Sequence, residues 1–319
     1  MTKKVYVSRR LPPLAMEALG KICEYDMNPD NRHATRDELI NAVKNYEVVV
    51  SMLNDKIDAE VIAQAGSQLK LIANYAVGFN NIDVKAANAK GIHVSNTPDV
   101  LTDATADLAW ALLFAAARRV IEGDHIARTE RFTGGPEYLL GSDITGTTLG
   151  VIGAGRIGSN FAKKGALGFG MNVLYYGRHN TPELDDIGGR RVSLDELLAQ
   201  SDYVSLHCPL TPETRHLIGA EQLAKMKPSA ILINTARGPV VDEKALASAL
   251  ANHTIAAAGL DVYENEPDVE PELKTLPNVV LMPHVGSATL GTRTNMGLMV
   301  ARNVEAVLAG NTPPNVVRL

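Results

Sequence analysis

The strongest constraint on the fold of this chain is a glycine-rich turn, GVIGAGRIG, at residues 150–158. Three of its glycines, Gly153, Gly155 and Gly158, form a G-x-G-x-x-G pattern. This pattern follows the apolar segment LGVI and opens a segment with helical spacing, as a dinucleotide-binding turn requires. The first glycine permits a tight turn, the second lets a pyrophosphate approach the backbone, and the third lets helix and strand pack closely. The turn therefore predicts a dinucleotide site formed by Gly153, Ala154, Gly155, Arg156, Ile157 and Gly158.

Short apolar segments alternate with helical patterns on both sides of this turn. The strand-like segments before it are VYVS, EVVVS, LKLIANYA and GIHVSN, and those after it are LGVIG, NVLYY, YVSLH, AILIN, AAGLDV and VVLMP. This alternation predicts two α/β units, each with a parallel sheet.

Several helix boundaries can be predicted from local signals. Thr35–Glu38 and Ser193–Glu196 have the capping-box pattern, and Asp242 is a predicted N-cap. One long, largely apolar helix is expected over Leu101–Arg119, between the two α/β series. A last helix should stop at Gly310, since two prolines follow soon after.

Composition excludes several classes of function. The chain of 319 residues has a formal net charge of −5, which does not favour nucleic-acid binding. Its two cysteines, Cys23 and Cys208, are far apart and belong to no Cys/His cluster, so neither a disulfide framework nor a metal site is expected. No apolar run approaches the ~18 residues of a membrane span, and no secretory signal is evident. We therefore expect a cytoplasmic protein.

The segment that follows NVLYY indicates which dinucleotide is bound. An NAD site usually has Asp or Glu there to bind the ribose 2′-hydroxyl. This chain has Gly177, Arg178 and His179, so no carboxylate would repel a 2′-phosphate and a guanidinium could bind one. The pattern favours NADP(H), with NAD(H) possible. The alternative is that Arg178 is only a solvated surface residue.

Three further strand ends carry polar groups suited to catalysis: NTARG, DVYENEP and MPHVGSA. Together they supply Arg237, several carboxylates and His284. This set suits hydride transfer to a 2-oxo acid, in which the guanidinium binds the substrate carboxylate and the imidazole protonates the carbonyl oxygen. Taken singly, each residue has an ordinary structural explanation, and Glu266 lies in an acidic run typical of a solvated loop.

The motifs resemble those of the D-isomer-specific 2-hydroxyacid dehydrogenases, and the resemblance extends through nearly the whole chain. It is carried by NYAVGFNNID, NTPDVLTDATADLA, TLGVIGAGRIG, HCPLTPETRHLI, INTARGPVVDE, GLDVYENEP and PHVGSAT. Within that family the chain is most similar to the glyoxylate and hydroxypyruvate reductases. The resemblance implies an α/β fold of two Rossmann-like or flavodoxin-like parallel-sheet domains, with a dinucleotide-binding domain (98–287) inserted into a substrate domain (1–97 and 288–319).

The resemblance also implies roles for individual residues. The catalytic set would be Arg237, Glu266 and His284. The substrate would contact Leu53, Val77, Gly78, Arg237 and His284. Beyond the glycine-rich turn and the Gly177–His179 loop, the cofactor would be lined by Thr105, Cys208, Pro209, Thr214, Thr235, Ala236, Arg237, Asp261, His284 and Gly286.

The implied activity is reduction of glyoxylate or hydroxypyruvate to the D-2-hydroxy acid by NADPH, in a cleft between the domains of a homodimer. The dimer would be built around Leu101–Arg119 and the loop after it. Two alternatives are another dehydrogenase of the family, acting on 3-phosphoglycerate, phosphite or D-lactate, and a dinucleotide-sensing corepressor. Formate enzymes of the family are disfavoured because they have Gln where this chain has Glu266. Phe132–Tyr138 lacks the tryptophan of many relatives, which leaves substrate selectivity open.

Overall fold

The computed structural model describes residues 5–318, which divide into two compact units. The first unit comprises residues up to Leu101 together with those from Ser287 onwards, and the second comprises Thr102–Gly286. Each unit contains one parallel sheet, so the predicted α/β fold class is confirmed. The functional division of the chain at residues 97/98 and 287/288 stays a prediction.

The first unit is a doubly wound α/β unit. Its elements in chain order are β1 (Val5–Val7), α1 (Pro13–Ile22), β2 (Tyr25–Met27), α2 (Arg36–Asn45), β3 (Val48–Ser51), α3 (Ala59–Ala63), β4 (Leu71–Asn74), α4 (Val84–Ala89) and β5 (His93–Ser95). All five strands are parallel, in the order β2-β1-β3-β4-β5. This is the flavodoxin-like order.

Both faces of the first sheet are covered by helices. In β3, Val48 and Val50 belong to the core shared with Ala15 of α1, whereas Val49 belongs to the core that includes Leu39 of α2. Alternate residues of a strand point to opposite faces, so a continuous apolar strand is what two covered faces require. The predicted capping box of α2 is present, with reciprocal hydrogen bonds between Thr35 and Glu38 of 3.3 and 2.7 Å.

The second unit has the larger sheet. Its elements are α5 (Thr102–Ala117), α6 (Val120–Thr129), β6 (Thr148–Ile152), α7 (Arg156–Phe169), β7 (Asn172–Tyr176), α8 (Pro182–Asp185), β8 (Arg190–Arg191), α9 (Leu194–Gln200), β9 (Tyr203–Leu206), α10 (Ala220–Lys225), β10 (Ile231–Asn234), α11 (Glu243–Ala251), β11 (Ala257–Leu260) and β12 (Val279–Leu281). The last helix, α12 (Leu290–Leu308), belongs to the first unit. The seven strands are parallel, in the order β12-β11-β10-β9-β6-β7-β8. The order reverses between β6 and β9, and ligands of such sheets bind beyond the carboxyl ends of the strands at that point.

The core on one face of this sheet is centred on Trp110 of α5. Its ring stacks on Phe161 with centroids 4.7 Å apart, lies 4.9 Å from the Phe169 ring, and its indole N–H donates to the carbonyl of Phe161. Across residues 5–318, no helix is both long and apolar enough to cross a membrane. The same part of the chain holds no group of three or more His, Cys, Asp or Glu side chains placed to bind a metal ion.

The local predictions were wrong in three places. The predicted helix over Leu101–Arg119 ends at Ala117, because Arg119 adopts a left-handed conformation with φ of +52°, and α6 follows it. The short strands β2 and β8 were not predicted, since neither has an apolar run. Only half of the second predicted capping box forms: Ser193 accepts from the N–H of Glu196, whose carboxylate accepts instead from Gln200.

Candidate active site

The glycine-rich turn joins β6 to α7 at the carboxyl edge of the second sheet. Gly153 has φ of +96°, and a Cβ on it would lie 2.5 Å from the backbone nitrogen of Cys208. A Cβ on Gly158 would collide with the carbonyl oxygen of Gly153. Packing therefore requires two of the three glycines. At Gly155 a Cβ would meet open space, directly before the first N–H groups of a 14-residue helix, and this fits a pyrophosphate. The turn also contains Ala154, and α7 begins with Arg156 and Ile157.

The loop after β7 carries Gly177, Arg178 and His179, and the side chains of the last two are exposed. Arg191 of β8 fixes the backbone of this loop. Its guanidinium donates to the carbonyl oxygen of Gly177 at 2.9 and 3.1 Å, to that of Arg178 at 3.1 Å, and to Oδ1 of Asn180 at 3.3 Å. The loop thus holds the Arg178 side chain at the strand end where selectivity between NAD(H) and NADP(H) is usually decided.

The end of β9 is apolar in character despite its histidine and cysteine. Nε2 of His207 lies 2.8 Å from the Ser205 hydroxyl, and burial lowers the pKa of His207 to about 3. Burial raises the pKa of the Cys208 thiol to about 11. Both side chains are therefore neutral at physiological pH. The Thr214 hydroxyl donates to the carbonyl of Pro209 at 2.6 Å and stabilises the turn that follows.

The turn after β10 holds Arg237 at the same edge of the sheet. The Asn234 side chain closes it, accepting from the N–H of Ala236 and donating to the carbonyl of Arg237, each at 3.0 Å. The Thr235 hydroxyl is buried with no hydrogen-bond partner among the described residues, as expected for a group that awaits a bound ligand. Burial lowers the pKa of the Arg237 guanidinium, while the charge of Glu266 opposes that shift.

His284 and Glu266 form a hydrogen-bonded pair. Nδ1 of His284 lies 2.7 and 2.9 Å from the two carboxylate oxygens of Glu266, and the N–H of Tyr263 donates to the same carboxylate at 3.1 Å. The Tyr263 hydroxyl donates to the carbonyl of Met282 at 2.8 Å, so the segment before Glu266 is also tied to the segment before His284. His284 has φ of +54°, in the left-handed region that few non-glycine residues adopt.

Burial by itself would raise the pKa of Glu266. The hydrogen bond and charge of His284, the N–H of Tyr263 and the charge of Arg237 outweigh burial and lower it below its usual value. An ionised carboxylate beside Nδ1 fixes the tautomer and the orientation of the imidazole. Because Glu266 occupies Nδ1, Nε2 is the nitrogen left to exchange a proton with a substrate.

Asp261, at the end of β11, holds the segment that follows His284. Its two carboxylate oxygens accept from the N–H groups of Val285 and Gly286, at 2.7 and 2.8 Å. Burial raises the pKa of Asp261, and these two hydrogen bonds oppose the rise. A Cβ on Gly286 would lie 3.3 Å from both the Asp261 carboxylate and the buried side chain of Thr105, so these predicted cofactor residues are adjacent.

In the first unit, the predicted carboxylate-binding loop has fixed peptide planes. The carbonyl of Ala76 accepts from the N–H of Thr97 at 2.9 Å, and the carbonyl of Val77 accepts from the side-chain amide of Asn96 at 2.8 Å. In a trans peptide the N–H points opposite to the carbonyl. The N–H groups of Val77 and Gly78 are therefore turned away from Asn96 and Thr97, and neither donates to another of the described residues.

Leu53, the other substrate residue predicted in this unit, is half-buried in the loop after β3. The side-chain amide of Asn81 donates to the carbonyls of Met52 and Asp55, each at 3.1 Å, on either side of Leu53. The loop is thus held from the same motif, NYAVGFNNID, that contains Val77 and Gly78.

Comparisons with known proteins identify the family. The model of the D-isomer specific 2-hydroxyacid dehydrogenase NAD binding domain matches residues 110–286. The glyoxylate reductase of Thermococcus kodakarensis is 48% identical over 99% of this chain and 96% of its own length. This chain belongs to the D-isomer specific 2-hydroxyacid dehydrogenases. The resemblance found in the sequence is therefore confirmed, and the chain is an NAD(P)-dependent oxidoreductase whose second unit binds a nicotinamide dinucleotide.

Solved structures of this dehydrogenase family have the same fold. A glyoxylate reductase from Paecilomyes thermophila superposes with a TM-score of 0.87 at 35% identity, covering 99% of this chain and 98% of that one. An NADPH-dependent glyoxylate/hydroxypyruvate reductase from Sinorhizobium meliloti, in complex with NADP and malonate, superposes with a TM-score of 0.86 at 31% identity. That match covers 99% of this chain and 97% of the other.

Three residues that organise the dehydrogenase site were missed by sequence reasoning. Arg191 lies in a two-residue strand with no apolar signal, whereas Asn96 and Tyr263 lie within motifs that were recognised but attributed to their neighbours. The side chain of each residue donates a hydrogen bond to a backbone carbonyl. Which carbonyl a side chain reaches depends on the fold and not on local spacing.

The open space at Gly155 leads to a prediction. Gly155→Ala should leave Tm near that of the wild type, because its Cβ meets no other group. It should weaken binding of both NADH and NADPH, because a methyl group would stand where the pyrophosphate approaches. Differential scanning fluorimetry and nicotinamide fluorescence titration measure the two effects.

The matched control is Gly291→Ala, whose Cβ also meets open space but lies in α12. It should change neither quantity. Gly153→Ala should instead lower Tm, because φ is +96° and backbone atoms of Cys208 stand in the way. Unchanged dinucleotide affinity in Gly155→Ala would show that the pyrophosphate does not occupy this space.

Proposed function

We propose that this dehydrogenase reduces a small 2-oxo acid, glyoxylate or hydroxypyruvate, to the D-2-hydroxy acid, with NADPH as the favoured reductant. The observation that carries the proposal is the Glu266–His284 pair, in which Nδ1 of His284 lies 2.7 Å from Oε2 of Glu266. This pair lies at the same edge of the sheet as Arg237. The names of the relatives from Thermococcus kodakarensis and Sinorhizobium meliloti support the same substrates.

The proposed mechanism uses each of these side chains for one task. Arg237 binds the substrate carboxylate and draws electron density from the carbonyl, with the strength that a largely buried cation provides. His284 donates the proton on Nε2 to the carbonyl oxygen. A reduced nicotinamide dinucleotide held at the glycine-rich turn would supply the hydride that the carbonyl carbon accepts. His284 is left neutral, and it regains a proton from solvent before the next turnover.

The remaining predicted residues have supporting roles in this proposal. Val77, Gly78 and Leu53 stay predicted substrate-binding residues. Thr105, Cys208, Pro209, Thr214, Thr235, Ala236, Asp261 and Gly286 stay predicted cofactor residues. The unpartnered hydroxyl of Thr235 is the group among them that most needs a ligand.

A substrate panel tests the proposed reaction. NADPH oxidation should be observed with glyoxylate and hydroxypyruvate, and it should be much slower with pyruvate. Reduction of NADP⁺ by phosphite or 3-phosphoglycerate should also be much slower than NADPH oxidation with the two oxo acids. His284→Ala should lower kcat by ~10²–10⁴-fold, because the general acid is lost. His253→Ala, which changes a surface histidine at the end of α11, is the control and should keep wild-type kcat. No turnover with either oxo acid would refute the proposal.

The NADPH preference rests on Arg178 and on the lack of a carboxylate in residues 177–180. Arg178→Ala should raise KM for NADPH about tenfold or more, because a charged hydrogen bond to the 2′-phosphate is lost, and should leave KM for NADH nearly unchanged. The control variant is Arg190→Ala. Arg190 is also exposed and lies in β8, and its guanidinium is 3.5 Å from a carboxylate oxygen of Glu196. Equal effects on the two cofactors would mean that Arg178 does not bind the 2′-phosphate.

We also propose a homodimer and a cytoplasmic location. Helix α6 has no buried residue, and Ile121 on it and Phe132 after it are 59% and 63% exposed. Apolar side chains grouped in this way usually mark an interface. Both cysteines are free thiols, as the reducing cytoplasm favours.

Sedimentation velocity tests the dimer. The wild type should sediment as a dimer at micromolar concentration, and the double variant Ile121→Asp/Phe132→Asp should shift towards monomer, since the interface would have to bury two carboxylates. Leu167→Asp, at a site 76% exposed on α7, is the control and should remain dimeric. A monomeric wild type would exclude this proposal.

A further inference from the structure

A pair of acidic residues, Glu243 and Glu264, has no part in the proposed chemistry, although Glu264 lies only two residues before Glu266. Glu243 is the first residue of α11 and is only 4% exposed. A carboxylate loses much of its solvation when it is buried, so it persists there only if hydrogen bonds compensate. The partners of Glu243 therefore indicate what this carboxylate does.

Glu243 and Glu264 bind one another through reciprocal backbone hydrogen bonds. The Glu243 carboxylate accepts from the N–H of Glu264 at 2.6 Å, and the Glu264 carboxylate accepts from the N–H of Glu243 at 3.1 Å. One buried side chain thus holds the start of the acidic segment Glu264–Glu270, two residues before Glu266.

The loop before α10 also contacts the carboxylate of Glu264. The second oxygen of Glu264 lies 2.9 Å from Nε2 of His216 and 3.7 Å from a guanidinium nitrogen of Arg215. The N–H of His216 donates to the carbonyl of Pro239 at 2.8 Å, so this loop is also fixed to the turn that follows Arg237. Burial raises the pKa of Glu243, and the hydrogen bond from the N–H of Glu264 opposes that rise.

The geometry connects Glu243 and Glu264 to the proposed proton donor. A Cβ on Gly238 would collide with the carbonyl carbon of Tyr263, so the acidic segment packs directly on the turn that holds Arg237. Tyr263 then donates through its N–H to Glu266, the hydrogen-bond partner of His284. A displaced Glu264 would move both Tyr263 and Glu266, its near neighbours in the chain.

We propose that Glu243 is a positioning residue: by holding Glu264, it keeps the carboxylate of Glu266 against Nδ1 of His284. This inference rests on the proposed function, in which His284 is the proton donor. Glu243 binds the N–H of Glu264, so its effect on the reaction is transmitted through the backbone of the acidic segment.

A purely structural role is the competing explanation, because Glu243 lies in the first turn of α11, where any acidic side chain stabilises a helix. The neighbouring residue separates the two. Asp242 is the N-cap of the same helix and accepts from the N–H of Ala245 at 3.0 Å, but it has no bond to the acidic segment. Asp242→Ala therefore weakens the helix start and leaves the connection to Glu266 intact.

The test compares Glu243→Ala, Glu243→Gln and Asp242→Ala in the full-length chain. Glu243→Ala should lower kcat for glyoxylate about 10- to 100-fold, the scale of effect expected from misplacing a reacting group, with KM for NADPH nearly unchanged. The acid limb of kcat/KM should also move to higher pH, because a displaced Glu266 loses the hydrogen bonds from His284 and Tyr263 that lower its pKa. Glu243→Gln keeps an oxygen acceptor for the N–H of Glu264 and should recover part of kcat.

A second measurement does not depend on turnover. In protein labelled with ¹³C at the glutamate side-chain carboxyl, and with the resonance of Glu266 assigned by Glu266→Gln, the Glu266 carboxyl should titrate at higher pH in Glu243→Ala than in the wild type. Asp242→Ala should lower Tm while the Glu266 titration stays as in the wild type.

The outcomes separate the two proposals. A wild type without glyoxylate turnover refutes the proposed function, and the Glu266 titration then decides the positioning role alone. If Glu243→Ala lowers Tm but leaves both the Glu266 titration and the kcat/KM pH profile unchanged, Glu243 is structural and the positioning role is wrong.

Discussion

The parallel alignment of seven strands is the constraint on which the second unit depends. Because all its strands run in the same direction, the segments that follow β6, β7, β9, β10, β11 and β12 meet at one edge of the sheet. The glycine-rich turn, Arg178, Arg237, Glu266 and His284 come from residues up to 131 positions apart in the chain, counted from Gly153 to His284. Strand direction brings them to the same edge, and close packing at Gly153 and Gly158 fixes where that edge can approach a phosphate.

Charge at this edge is stabilised mainly by backbone N–H groups and by paired side chains. Asp261 accepts from two successive N–H groups, Glu243 accepts from the segment that carries Glu266, and Glu266 accepts from His284. Each arrangement compensates a carboxylate that burial would otherwise neutralise. The same bonds hold the loops in place, so the electrostatics and the geometry of the site have a common origin. The imidazole is thereby oriented through Nδ1, with Nε2 left for the reaction.

Local sequence predicted the elements whose causes are local. The strand–turn–helix at Gly153–Gly158, the capping box at Thr35–Glu38 and the N-cap at Asp242 are set by neighbouring residues, and each is present. Helix α6 was not predicted because it has no buried face and so lacks a periodic apolar signal. Strand β8 is two residues long and polar, and only its pairing with β7 makes it a strand.

The sequence by itself determined the α/β class, the dinucleotide turn and the family, because these follow from residue spacing over short segments and from the order of many motifs. The tertiary structure alone decided which partner each polar side chain has. Glu264 and Glu266 are two residues apart in one acidic run, yet one binds Glu243 and His216 and the other binds His284. Spacing cannot distinguish them, because a hydrogen bond depends on distances that only the packed loops establish.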